Sequence, residues 1–150
     1  MPIQRNKYLQ PLSRDHHHGL LLCWKIKTGL KKQVESYRIH NYVTWFWTTE
    51  LKPHFRIEET QVFPILGIDH HLIKTALLQH RNLTNLFENK EDVLNTLCLI
   101  KSELQAHIRF EERILFNEIQ KIATTEQLKN IEMQHHNHNY IDNISDAFWE

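Results

Sequence analysis

Three glycines and four prolines are all that punctuate 150 residues. So few turn formers argue against a fold of many short strands and leave long segments free to follow helical spacing. Cys23 and Cys98 are the only cysteines and lie far apart. They give neither a disulfide framework nor a cysteine zinc site, and both read as small buried apolar residues. No charge sign is in excess, because 18 lysines and arginines balance 18 aspartates and glutamates. That balance removes the field that would draw in nucleic acid, an anionic membrane or an acidic partner. Long apolar runs are missing too, and the opening MPIQRNKYLQPLSRD lacks the apolar centre of a secretion signal. The expectation is a soluble, cytoplasmic chain that engages neither membrane nor nucleic acid, with all 150 residues forming one domain.

Histidine, by contrast, is abundant. The chain has twelve, clustered in DHHHG, IDHHL and MQHHNHN. Histidine is the commonest metal ligand and the usual proton carrier near neutral pH, but it also decorates solvated surfaces. What decides between these roles is which histidines fall on an inward helix face.

The apolar spacing predicts five helices. The first runs from about Ser13, as N-cap, to Tyr37, with Leu12, His16, Leu20, Cys23, Leu30, Val34 and Tyr37 in phase. The second runs from about Tyr42 to Leu66 through Trp47, Leu51, His54, Glu58, Val62 and Ile65, and Pro53 is expected to kink it. The third, capped by Asp69, reaches Phe87 through Ile73, Leu77 or Ala76, His80 and Leu83. The fourth spans about Asp92 to Ile122 with Leu97, Ile100, Leu104, His107, Glu111 and Ile114 or Leu115 in phase. TTEQ then reads as a capping box, Thr124 with Gln127, for a last helix over about 125–148 carrying Leu128, Ile131, His135, His138, Ile141 and Phe148. Four long helices with short connections imply an all-α, antiparallel up-down four-helix bundle over about 12–122, with the additional C-terminal helix packed across it or used for association.

One pattern is written twice. ELKPHFRIEETQVF (Glu50 to Phe63) and SELQAHIRFEERILF (Ser102 to Phe116) both place a histidine four residues before a glutamate in the same apolar frame. Residues four apart on a helix project from one face, so His54 with Glu58, and His107 with Glu111, each aim an imidazole and a carboxylate at one point. A carboxylate inside a bundle costs several kcal/mol unless it is paired or binds a metal. Arg56 and Arg109 are turned away by their spacing, as are Glu59 and Glu112, which read as solvated. His16 and His80 bring an inward histidine to each remaining helix. The simplest compensating charge is a pair of divalent cations, and mixed imidazole and bridging-carboxylate ligation suits iron, with manganese or zinc as possible substitutes.

DHHHGLLL, LKPHFRIEETQVFP, LLQHRNLTNLF and LQAHIRFEERILF together resemble the four motif helices of the hemerythrin family, the HHE cation-binding domains. The resemblance covers about residues 12–120. It implies a non-haem, carboxylate-bridged di-iron centre held by His54, Glu58, His80, His107 and Glu111, with His16 or His17 from the first helix. It departs from the oxygen-carrying members at Thr84 and Ala76, where they have a further histidine. The resemblance leaves His40, His135 or no residue at all to supply that ligand, with surface or capping roles preferred for His135 and His138. The function it implies is binding or sensing of oxygen, nitric oxide or iron itself. The alternatives are an enzyme reducing nitric oxide or peroxide or repairing iron centres, and a metal-stabilised interaction module. An exposed Trp149 near the end would mark a homodimer or partner surface on the last helix.

Overall fold

The computed structural model describes residues 4–135 and 138–150, and these contain helices and turns but no strand. The elements are α1 (Gln10–Lys31), α2 (Ser36–Phe46), α3 (Lys52–Ile57), α4 (His71–Glu88), α5 (Val93–Phe110), α6 (Phe116–Ile122) and α7 (Thr125–His135). Wide π-helical turns, Trp47–Leu51 and Glu58–Val62, join α2 to α3 and continue it, so residues 36–65 form one helical rod ending in a short 3-10 turn. A third π-helical turn, Glu111–Leu115, joins α5 to α6 in the same way. Each turn carries a hydrogen bond to the carbonyl five residues back, such as Phe63 N–H to Glu58 O and Phe116 N–H to Glu111 O.

Several boundaries differ from the expected ones, each for a local reason. The first helix starts at Gln10, with Pro11 in its first turn, and Ser13 turns its hydroxyl to Glu112 instead of capping. It stops at Lys31, short of Tyr37, because Gln33 adopts a left-handed φ of 57° and Val34 N–H reaches back to Gly29 O. This is the hydrogen-bond pattern of a Schellman stop, and it is hard to read in sequence because glutamine stands where glycine is usual. The next helix therefore begins at Ser36 rather than Tyr42. Pro53 sits in the first turn of α3, just after a π-helical turn, so the rod widens there and does not break. His70 caps α4 in place of Asp69, its Nδ1 accepting from Leu72 N–H at 3.1 Å. The capping box forms, with Thr124 Oγ1 accepting from Gln127 N–H and Gln127 Oε1 from Thr124 N–H.

The last helix is shorter than expected. α7 ends at His135, and 138–150 form turns without helix; His136 lies outside the described residues. Asn143 Oδ1 accepts from Ser145 N–H and Oγ, one of the local bonds that compete with a helix in this polar stretch. The tail folds back instead. Phe148 is 2% exposed against Gly29, where a Cβ would come within 2.7 Å of its ring. Asp142 takes hydrogen bonds from Lys25 and Tyr42, and Arg38 pairs with Asp146 through two bonds. Trp149 is not a free indole, because Lys25 Nζ lies 3.9 Å from its ring centroid and Tyr42 packs against it.

α1 and α4 both pack along α5. Gly19 sets the α1–α5 approach, since a Cβ there would meet Ile108 Cδ1 at 2.8 Å. The inward stripe of α1 therefore passes through His16, Gly19, Cys23 and Ile26, leaving Leu20 37% exposed, while Tyr37, which falls in α2, is 59% exposed. α4 buries Ala76 rather than Leu77, and the wide turn after Glu111 buries Leu115 while Ile114 stays outside.

Two apolar clusters divide the interior. One holds Leu22, Leu51, Leu83 and Leu104; the other holds Leu12, Val62, Ala76 and Leu115. Every long helical segment passes from one cluster to the other at a histidine: His16, His54, His80 or His107. The polar layer is thus sealed above and below by hydrocarbon. Among the described residues no helix is long and apolar enough to cross a membrane.

Candidate metal centre

Six side chains of that layer are almost fully buried: His16, His54, His80 and His107 at 2–3% exposure, and Glu58 and Glu111 at 0%. They form two groups, His16–His54–Glu58–Glu111 and Glu58–His80–His107–Glu111, whose donor atoms lie within 4.8 Å of one another. Both carboxylates belong to both groups. Each group can hold a metal ion.

The ring nitrogens converge. His16 Nε2 lies 2.9 Å from Glu111 Oε1 and 3.1 Å from His54 Nε2. His54 and His80 bring Nε2 to 3.3 and 3.1 Å from Glu58 Oε1, and His107 Nε2 lies 3.3 Å from Glu111 Oε1. Four atoms at this meeting point, Glu58 Oε2, His107 Nε2 and both Glu111 oxygens, are buried without any hydrogen-bond partner. Unsatisfied buried carboxylate oxygens cost a native fold several kcal/mol, so their concentration where imidazole nitrogens also converge is the arrangement a cation would satisfy.

Each imidazole is also fixed from behind. His16 Nδ1 pairs with Glu112 at 2.8 Å, His54 Nδ1 with Asp15 at 2.8 Å, His80 Nδ1 with Glu59 at 2.7 Å, and His107 Nδ1 with Gln79 at 2.6 Å. An acceptor at Nδ1 keeps that nitrogen protonated and presents the Nε2 lone pair to the centre, as outer partners do in metal sites. The rings are also held by stacking: Phe55 lies 3.7 Å from the His80 centroid and Phe116 5.3 Å from His16.

The sequence repeat therefore extends beyond its ligand pair. The second glutamate of each copy, expected in solvent, holds the histidine of a neighbouring helix, Glu59 for His80 and Glu112 for His16. The residues preceding those histidines, Gln79 and Asp15, hold the histidines of the repeat. Arg56 and Arg109 are exposed, as their spacing requires.

Of the expected site residues, the structure brings together His16, His54, Glu58, His80, His107 and Glu111 and leaves His17 exposed on the far side of α1. Neither group includes His40, His135 or His138. Thr84 instead donates its hydroxyl to His80 O. His135 has a different place: its Nε2 lies 2.7 Å from Asp15 Oδ2, linking α7 through Asp15 to His54. His138 pairs with Glu50, and a cavity of about 130 Å³ beside His54 is lined by Asp15, Glu50, His135 and His138. Asp15, Glu59, Glu112 and Gln79 are the functional side chains that apolar periodicity could not reveal. Their signal was adjacency to an inward histidine or glutamate.

The charges follow from this geometry. Burial alone would lower the His54 imidazole, but Glu58 together with the bond to Asp15 pushes it up to about 9. His80 is likewise pushed up to about 9, against burial, by Glu58 and Glu59. His16 is raised well above the usual value, against burial, by Glu111, Glu112 and Glu58. Burial opposes but does not prevent the lowering of Glu58 by the surrounding imidazoles. Metal-free protein thus answers its buried carboxylates with protons on the same nitrogens that a metal needs.

Comparison with known proteins finds no matching family model, no matching characterised protein and no matching solved structure.

Proposed function

We propose that the chain is a hemerythrin-like domain, an up-and-down four-helix bundle with a short extra helix, that holds two iron ions and binds or senses a small ligand such as oxygen or nitric oxide. The observation that carries this reading is the pair of buried His–His groups sharing Glu58 and Glu111, with Glu58 Oε2 and both Glu111 oxygens buried without a hydrogen-bond partner. Two imidazoles and two shared carboxylates per position suit iron or manganese better than the closed tetrahedral site of structural zinc. Among the described residues neither group includes a further His, Cys, Asp or Glu, which leaves room for a small ligand.

Bound there, an iron pair would supply reversible ligand coordination and change of oxidation state. The chain's own contribution is distinct. Glu58 and Glu111 offset the ionic charge, the four imidazoles supply neutral donors in fixed orientation, and the apolar clusters on both sides exclude bulk water. The cavity at the outer side of His54 brings a small molecule to within one side chain of the layer.

The test is to reconstitute the protein with ferrous iron without oxygen, then add oxygen or nitric oxide. A stable stoichiometric adduct, absent from Glu58→Ala and Glu111→Ala, supports binding or sensing. Repeated consumption in the presence of a reductant assigns the protein to the enzyme reading. A folded protein that takes up no iron contradicts both.

A further inference from the structure

The centre is built by near-exchange of two halves, and the exchange fails at one residue. Asp15–His16 of α1 corresponds to Gln79–His80 of α4, and His54–Glu58–Glu59 corresponds to His107–Glu111–Glu112. Of the four side chains behind the imidazoles, three are carboxylates and the fourth, Gln79 behind His107, is a neutral amide.

The other outer pair does not offset this difference. Glu112, behind His16, shares its charge with Arg5 at 3.7 Å and with the Ser13 hydroxyl. Glu59, behind His80, is 43% exposed and so screened by water. Both are weakened, by different means. Asp15 is only 21% exposed, and the two groups that hold it, His54 and His135, are imidazoles rather than a permanent cation. The clear inequality is Asp15 against Gln79.

We infer that the two positions load in order, the His16–His54 position binding a divalent cation first and the His80–His107 position second, with Gln79 setting the gap. The inference rests on the metal-binding reading above. An imidazole whose Nδ1–H donates a hydrogen bond to a carboxylate carries more electron density at Nε2 and is the stronger metal ligand, and the carboxylate adds a negative charge near the ion. An amide accepts the same hydrogen bond without the charge. Replacing an outer partner of this kind changes metal affinity by about 10- to 100-fold, which is the gap assigned to Gln79. Between the two affinities the chain holds one ion, on the α1 side, where Asp15 and His135 connect it to α7. Gln79 thus gives the protein a half-loaded state over one to two decades of metal concentration, about the range implied by that affinity ratio.

The shared carboxylates weaken any second ion, so two unequal steps in the wild type are necessary but do not decide the matter. The deciding variant is Gln79→Glu. Metal-free protein is titrated with Co²⁺, followed by visible absorption and calorimetry, in the wild type, Gln79→Glu, Asp15→Asn, His54→Ala and His107→Ala. Circular dichroism confirms the fold of each. The expected result is two steps in the wild type, a gap narrowed about tenfold or more in Gln79→Glu, and a weakened tight step in Asp15→Asn. His54→Ala should lose the tight step and His107→Ala the weak one. The inference is overturned by equal affinities in the wild type, by an unchanged gap in Gln79→Glu, or by loss of the tight step in His107→Ala. Uptake of two ions without order removes the ordering alone; no uptake by folded wild type removes the metal reading with it.

Discussion

Adding metal to the metal-free protein should release protons, and the structure sets how many. His54 and His80 are each raised to about 9, and His16 is raised well above its usual value. At pH ~7.5 these groups are almost fully protonated, and ligation needs each Nε2 free, so loading both positions should expel about two to three protons. Displacing a proton from a group at about 9 costs about 2 kcal/mol at pH ~7.5. Apparent affinity for loading both positions should therefore climb about 100-fold or more from pH ~7 to ~8, and the share due to His54 and His80 should level off above about 9. The same groups carry a stability signature. Their pKa lies above the unfolded value of 6.5, so their stabilisation of the metal-free fold is complete below that pH and is lost as pH rises through about 9. Each contributes on the order of 3 kcal/mol. Calorimetric metal titration in buffers of different ionisation enthalpy counts the protons, and alkaline unfolding of the metal-free protein reads the second effect. Heats that do not depend on the buffer, with an affinity flat between pH ~7 and ~8, would refute the reasoning.

Other predictions follow from the same contacts. Phe148→Ala should destabilise by about 3–5 kcal/mol in urea unfolding, since a fully packed ring is lost from beside Gly29; a cost below ~1 kcal/mol would mean the tail is not part of the fold. Asp142 is lowered, against burial, by Lys25 and Tyr42, so its stabilising contribution is present above the ordinary carboxylate range and is lost as pH falls through its lowered value. Acid should therefore release Trp149 from Lys25 before global unfolding, seen as a shift in tryptophan emission that Trp149→Phe removes. Glu59→Gln and Glu112→Gln should each weaken metal binding by less than the about tenfold effect assigned to Gln79, since water screens Glu59 and Arg5 and Ser13 share Glu112, while the metal-free variants stay folded, as equilibrium dialysis against circular dichroism would report.

The helical class and most of the centre were readable because both depend on spacing. Glu58 follows His54, and Glu111 follows His107, by four residues, and His80 falls in phase with Ile73, Ala76 and Leu83, so burial of one member of each set implies burial of the rest. His16 and His17 could not be separated until the close approach at Gly19 fixed the roll of α1 toward α5. Glu59 and Glu112 do stand partly in solvent, as expected, at 43% and 29% exposure, but their bonds to His80 and His16 were not readable. Helical phase reports where a Cβ points, whereas a long glutamate reaches sideways to a neighbouring helix. The tail from 138 onward escaped because Asp142, Phe148 and Trp149 are fixed by partners 100 or more residues away in sequence, such as Lys25 and Tyr42, and no local period encodes that.

The central claim is that Glu58 and Glu111 are shared by two metal ions. Its most direct measurement is metal content per chain after iron loading and desalting, by elemental analysis, for the wild type and for Glu58→Ala and Glu111→Ala variants checked for fold. Two irons per wild-type chain and a collapse of both, not one, in each single variant is the expected result. Folded wild type without metal, or a variant that keeps both ions, would contradict it.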